Sequence, residues 1–171
     1  MDKLDYKIFS DDEQYTNPST YNYENATQLD LLYDVFDSQI TFVIDGISFD
    51  YEDGDKVRMP LLDYFWSLTY LVGAFDAGER ESSITFTESA NEYSLMMNEG
   101  EVTVTCNWSD ATAKIDYKQL RDIIVHMVIR GLNECEFLKP AILKNKEYIE
   151  MKTLFLKERL KVHPKIIRIS I

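Results

Sequence analysis

Residues 61–75, LLDYFWSLTYLVGAF, lie between Pro60 and a glycine at position 78. Proline suits the first turn of a helix and glycine the position just beyond its end, so this punctuation predicts a helix. Its Leu61, Leu62, Phe65, Trp66, Leu68, Leu71, Val72 and Phe75 cover more than one stripe. A helix that apolar must be central, and the rest of the chain has to supply what surrounds it.

Three other signals supply the surroundings. Asp45-Gly46 sits between alternating segments over residues 40–52 and predicts a hairpin with a two-residue type I′ turn. That register pairs Ile44 with Ile47, Phe42 with Phe49 and Ile40 with Tyr51 on one apolar face, and Thr41 with Asp50 and Val43 with Ser48 on a mostly wet one. From Ser82 the period is again two, through Ile84 and Phe86, then Tyr93, Leu95 and Met97, then Val102, Val104, Cys106 and Trp108. Three short strands separated by turn-rich residues read as an antiparallel meander. A second helix then starts at Asp116, a predicted N-cap with Gln119 three positions on, while Ile115 and Leu120 form a hydrophobic staple. Leu120, Ile123, Ile124, Met127, Val128, Leu132 and Cys135 give it one apolar stripe.

The remaining segments are less constrained. Residues 1–28 are polar and rich in Asn, Asp and Tyr, with only Leu4, Tyr6 and Ile8 alternating, which reads as a loosely held arm or an edge strand. Residues 29–38 fit helix and strand equally, with Thr27 and Asp30 available as a cap. A further helix is expected over residues 140–160, and residues 166–169 could close the chain as a strand. No repeat or low-complexity linker divides the 171 residues, and a chain of that length buries roughly 70% of its unfolded surface, so one domain is expected. The order of hairpin, helix, meander and helices predicts an α+β fold, an antiparallel sheet with helices packed on one face.

Charge narrows the function. With 18 Lys and Arg against 30 Asp and Glu the formal charge is −12, which argues against nucleic acid and anionic membranes as partners. The N-terminus lacks a basic region followed by an apolar one, and no apolar run approaches 18 residues, so a cytoplasmic location is expected. Two Cys on apolar faces read as buried hydrophobes, and the sequons at Asn25 and Asn107 read as chance. The carboxylates are unevenly spread: residues 1–138 hold 9 basic and 27 acidic side chains, net −18, and residues 139–171 hold 9 and 3, net +6. Either the basic C-terminal segment docks on an acidic body, or acids at the hairpin end and the meander turn form a patch for a basic protein partner. On the second reading the binding residues are Asp50, Glu52, Asp53 and Asp55, with Glu99 and Glu101. Charge complementarity of this kind speeds encounter and excludes wrong partners.

Catalytic and metal signatures are not found. Around Gly54 the acidic run fails the EF-hand spacing, because Phe49 falls at position one. Glu150-Met151-Lys152 has the Glu-x-Lys form of some metal-dependent nucleases but lies in a predicted helix. His126 and His163 are isolated, so no zinc site is expected, and neither Cys106 nor Cys135 has the exposed setting of a nucleophile. There is no G-x-S-x-G, Walker or Rossmann glycine pattern. The expectation is a non-enzyme without cofactor or metal. Tyr6, Tyr15, Tyr21 and Tyr23 in the polar arm are candidates for an aromatic contact patch.

The 40–51 hairpin with Asp45-Gly46, the apolar helix after Pro60, the meander to Trp108 and the capped helix after Asp116 together span about 130 residues. In this layout, in size and in acidic balance the chain resembles the small bacterial immunity proteins that neutralise secreted toxins. The resemblance is one of pattern and transfers no binding residue. It implies a non-catalytic protein that occludes a basic toxin's active surface. The competing expectations are an enzyme with a carboxylate-lined pocket and a structural or oligomerisation module.

Overall fold

In the computed structural model, residues 2–163 are described apart from Tyr15, Pro18, Glu52, Asp53, Thr87 and Glu88. The chain is α+β, with two four-stranded antiparallel sheets and four α-helices among the described residues. The first sheet is built on β2 (Asp37–Ile44). One edge of β2 pairs with β1 (Lys3–Ile8), so the N-terminal alternation of Leu4, Tyr6 and Ile8 forms an edge strand. Its other edge pairs first with β3 (Ile47–Ser48) and then with β4 (Val57–Pro60). The turn between β2 and β3 has Asp45 at φ 51° and Gly46 at φ 76°, the two positive values a type I′ turn demands. The hairpin register holds for Ile44 with Ile47 and Val43 with Ser48. Beyond Phe49 it does not: the partner of Ile40 is Val57, not Tyr51. Val57 and Met59 are buried hydrophobes and Tyr51 carries a polar hydroxyl, so the chain loops out and returns with the more apolar pair facing the core.

Residues 29–38, open between helix and strand, divide between both. α1 (Gln28–Tyr33) is closed by a Thr27–Asp30 capping box, and after a turn with Phe36 at φ 56° the chain enters β2. α2 (Leu61–Asp76) follows β4 directly and is the central helix the sequence requires, with 11 of its 16 residues buried. The second sheet runs β5 (Glu81–Thr85), β6 (Glu92–Asn98), β7 (Glu101–Cys106) and β8 (Ser109–Asp116) in chain order. The meander therefore has four strands instead of three. α3 (Tyr117–Leu138) grows out of β8, with the Asp116 carboxylate accepting from the Gln119 N–H at 3.0 Å. The helix expected over 140–160 is broken into three parts: a 3-10 turn (Pro140–Lys144), α4 (Lys146–Thr153) and a π-helical turn (Leu154–Arg159). Asn145 sets the break. It is buried, caps α4 through the Tyr148 N–H, and donates to the carbonyls of Tyr23 and Ala26 at 2.9 and 2.8 Å. The strand suggested for 166–169 lies outside the described residues. No helix is long and apolar enough to cross a membrane among those described.

One core cluster runs from Leu4 to Val162. The two sheets meet through aromatics: the Tyr93 ring on β6 stands 4.7 Å from Phe42 on β2 and 5.0 Å from Trp108 in the β7–β8 turn. α3 crosses α2 where Gly131 faces Phe65, and a Cβ added at Gly131 would lie 2.2 Å from the ring's Cζ. Gly131→Ala is therefore expected to lower the unfolding free energy by about 1–3 kcal/mol through overpacking, read from urea midpoints. Burial also pushes the phenols of Tyr21 and Tyr23 up to about 12, with carboxylates nearby adding to the effect. A raised value means that the folded state holds the proton more tightly, a contribution present below the ordinary phenol value of about 10 and lost as pH rises through it. The urea midpoint is expected to hold steady on the neutral side of that value and to fall from pH ~10 to ~12.

Candidate functional site

Of the six acids singled out in the sequence, the four that are described, Asp50, Asp55, Glu99 and Glu101, fall into two groups at opposite ends of β7. The β6–β7 turn at Glu99 and Gly100 marks one end and the β7–β8 turn at Asn107 and Trp108 marks the other. About 3.3 Å per residue separates these ends by roughly 20 Å.

At the Trp108 end the acids serve the fold. Asp50 forms an ion pair with Lys56 and accepts from the Ser48 hydroxyl at 2.6 Å, and its carbonyl accepts from the Trp108 indole at 3.1 Å. Its side chain is only 14% exposed, so its charge is committed to closing the loop after β3. Asp55 is exposed, and its carbonyl accepts from the Tyr51 N–H at 3.0 Å. Glu52 and Asp53 lie outside the described residues.

At the other end the register gathers carboxylates that sequence spacing keeps apart. Glu101 lies opposite Asn98 on one side and Asp116 on the other. β5 enters beside them, with Glu79 and Glu81 exposed and the Arg80 carbonyl accepting from Met97. α3 starts here too, which adds Asp122 one turn into the helix, while α2 ends here with Asp76. The Tyr117 N–H donates to the Gly100 carbonyl at 2.8 Å, and its hydroxyl donates to Asp76 at 2.7 Å, so three elements are clasped together. Burial first and the Asp76 bond second push the Tyr117 phenol well up. Asp2 joins from the start of β1 by accepting from the Gln119 side chain at 2.6 Å. An open groove of about 710 Å³ with Leu4, Ile123 and Met127 among its walls runs on from this end between β1 and α3.

The cations around this pole only partly answer the acids. Lys114 meets Glu101 at 2.6 Å and Arg121 meets Asp76 at 3.6 Å. Among the described residues, Glu79, Glu81 and Glu99 make no ion pair. Two placements there cost stability. Asp76 lies in the C-terminal turn of α2 and Glu79 just beyond it, where the helix dipole disfavours negative charge. Glu99 occupies a positive-φ position, at 50°, of a type I′ turn that Asn, Asp or Gly would fill with less strain.

The described part of the basic C-terminal segment pairs elsewhere. Lys139 meets Asp11 at 3.0 Å, Lys144 meets Glu24 at 3.7 Å and Lys152 meets Glu136 at 2.5 Å, while the Arg159 guanidinium lies over the Trp66 ring. It thus fastens the N-terminal arm and α3, and it reaches the pole through the Leu160 carbonyl, which accepts from Arg121 at 2.7 Å, while none of its described cations forms an ion pair with the pole's acids.

The chemical candidates take structural places. Glu150 faces Lys146, and Met151 is buried between it and Lys152, so the Glu-x-Lys pair is divided across α4. His126 is exposed with Nδ1 2.7 Å from the Asp122 carbonyl, and His163 is exposed at the end of the described chain. Cys106 and Cys135 are free and buried, and burial holds the Cys135 thiol far above its ordinary value. Among the described residues, no three His, Cys, Asp or Glu stand where they could hold a metal ion. No family model, curated protein or solved structure matches this chain.

Glu79, Glu81, Asp116 and Asp122 were not among the six acids chosen from sequence. The signal that could have added them is the meander register, which places both termini of β5–β8 beside the Glu99 turn. Replacing Glu99 with Asn relieves the backbone strain and is expected to stabilise the protein by about 0.5–1 kcal/mol, measured by chemical unfolding.

Proposed function

We propose that this chain is a non-catalytic binding protein that presents its acidic pole to a basic protein partner, with a toxin whose active surface is cationic as the partner class. The observation that carries this reading is the set of exposed carboxylates at Glu79, Glu81 and Glu99, which make no ion pair among the described residues although the helix dipole disfavours Glu79 and the backbone geometry disfavours Glu99. Acids placed only for solubility have no reason to collect at such positions. An immunity protein acts by occlusion, which needs a stable complementary surface and no reacting group. The adjoining outer face of the second sheet suits that purpose. Ser83, Ser94, Thr105 and Thr112 lie in one cross-strand row, with the half-exposed Met96 in the next, so an uncharged centre is framed by an acidic rim. Interfaces are built in that way, depleted of charge at the centre and polar at the edge.

Short poly-L-lysine immobilised on a sensor surface is a suitable probe for the pole. Reversing Glu79, Glu81 and Glu99 to Lys is expected to slow association about tenfold or more at low salt and to flatten its salt dependence. The matched control reverses Asp12, Asp34 and Asp110, which are exposed, Asp110 lying at the Trp108 end of β8, with the same change in net charge. An equal slowing by both triple variants would show that net charge alone acts, and would overturn the reading.

A further inference from the structure

The two sheets treat their edges differently. β1 lies against α3, with Asp5 paired to Arg130 and the Tyr6 hydroxyl donating to Glu134 at 2.7 Å. β8 lies against β3. β4 and β5 are the exceptions, each having, apart from its ladder partner, only α2 as a close neighbour among the described elements; β4 carries Arg58 and ends in Pro60, whereas β5 meets α2 on the inner face where Ile84 is fully buried.

The ladder shows which backbone groups that leaves open. Phe86 donates to the Asn91 carbonyl and Met97 donates to the Arg80 carbonyl, so residues 80 and 86 point toward β6. By the two-residue alternation Ser82 and Ile84 do the same, and Glu81, Ser83 and Thr85 turn their N–H and C=O groups away from the sheet. An open edge is ordinarily blunted by proline, charged side chains or a bulge. β5 reads ESSIT and runs in unbroken register; its one charge, Glu81, stands at the start of the strand, so the edge about Ser83 carries none of these devices.

We infer that this edge is a homodimer interface, in which two copies pair β5 with β5 antiparallel about Ser83. The two-fold axis stands perpendicular to the sheet, so each Ser83 faces Ser83 of the second copy and each Glu81 faces Thr85 of the second copy. No like charges stand directly opposite, and the small Ser83 side chains allow close approach. The three outward residues of each copy exchange about six interchain hydrogen bonds, joining the two meanders into one eight-stranded sheet. Strand reversal sends the two acidic poles in opposite directions. The inference uses backbone groups of β5 and does not depend on what the poles bind.

Sedimentation velocity over a concentration series tests it. The wild type is expected to sediment as two chains, and Ser83→Pro as one, with a dissociation constant raised about 100-fold or more. The Ser83 N–H faces away from β6, so proline there removes no bond inside the sheet, and the thermal midpoint of the diluted monomer should be unchanged. Ser83→Glu, which sets like charges directly opposite while keeping the N–H, is expected to give one chain as well. Thr103→Lys, on the same face but two strands from the edge, should leave the dimer intact. Each copy carries −12, so added salt should tighten the dimer, whereas it weakens the contact expected at the acidic pole. The two readings can therefore fail separately. A wild type of one chain at every concentration, or a Ser83→Pro dimer as tight as the wild type, would refute the β5 interface.

Discussion

The fold depends on covering α2 on all sides. An apolar helix with one exposed face could rest on a single sheet, but Leu61, Leu62, Phe65, Leu68, Leu71 and Val72 are all buried and point around the helix. Fully burying one such side chain is worth about 1.5–3 kcal/mol, more than any of the surface ion pairs contributes. This requirement explains the division into two sheets. β4 delivers the chain into α2 from the first sheet, and β5 leads it away into the second. The two sheets then close on each other through Phe42, Phe49, Tyr93, Phe86 and Trp108. α3 completes the enclosure, and only a residue without a side chain at position 131 lets it approach Phe65.

What the sequence made legible was chiefly punctuation. Asp45-Gly46, Thr27 with Asp30, Pro60 and Asp116 each impose a local geometry that holds whatever surrounds it, and each took the place its chemistry dictates. Segments whose form is decided by distant partners were harder to read. β8 alternates through Ala111, Ala113 and Ile115, two of them too small to give a strong period, and it is a strand because β7 offers it a ladder. Residues 49–56 leave the hairpin because Val57 and Met59 compete for β2. The break after Pro140 depends on Asn145 reaching carbonyls more than a hundred residues away, a contact without local trace.

The candidate site was legible in part for the same reason. Glu99 and Glu101 could be placed together because a two-residue turn joins them. Asp116 is fifteen residues from Glu101 yet sits opposite it, and Glu79 and Glu81 arrive from the end of α2; only the register of the second sheet makes them neighbours. Asp50 was misleading in the other direction. It belongs to an acidic run in sequence, but Lys56 is six residues away and the loop folds back to bring the two together.

Charge polarity survives folding in an altered form. Among the described bases after residue 138, Lys139 and Lys144 pair with Asp11 and Glu24 of the arm, and Lys152 pairs with Glu136 of α3. Those pairs tie the first twenty-four residues to the body, which gives the basic segment a structural reason to be basic. The acids at the start of α3 and the end of α2 are left to each other, with Arg121 and the Tyr117 hydroxyl holding Asp76 against the unfavourable dipole. If stability alone governed this end, Glu99 would be Asn and the carboxylates after α2 would be bases. On the reading proposed above, that cost is offset when the cationic surface of a partner docks beside Glu79, Glu81 and Glu99.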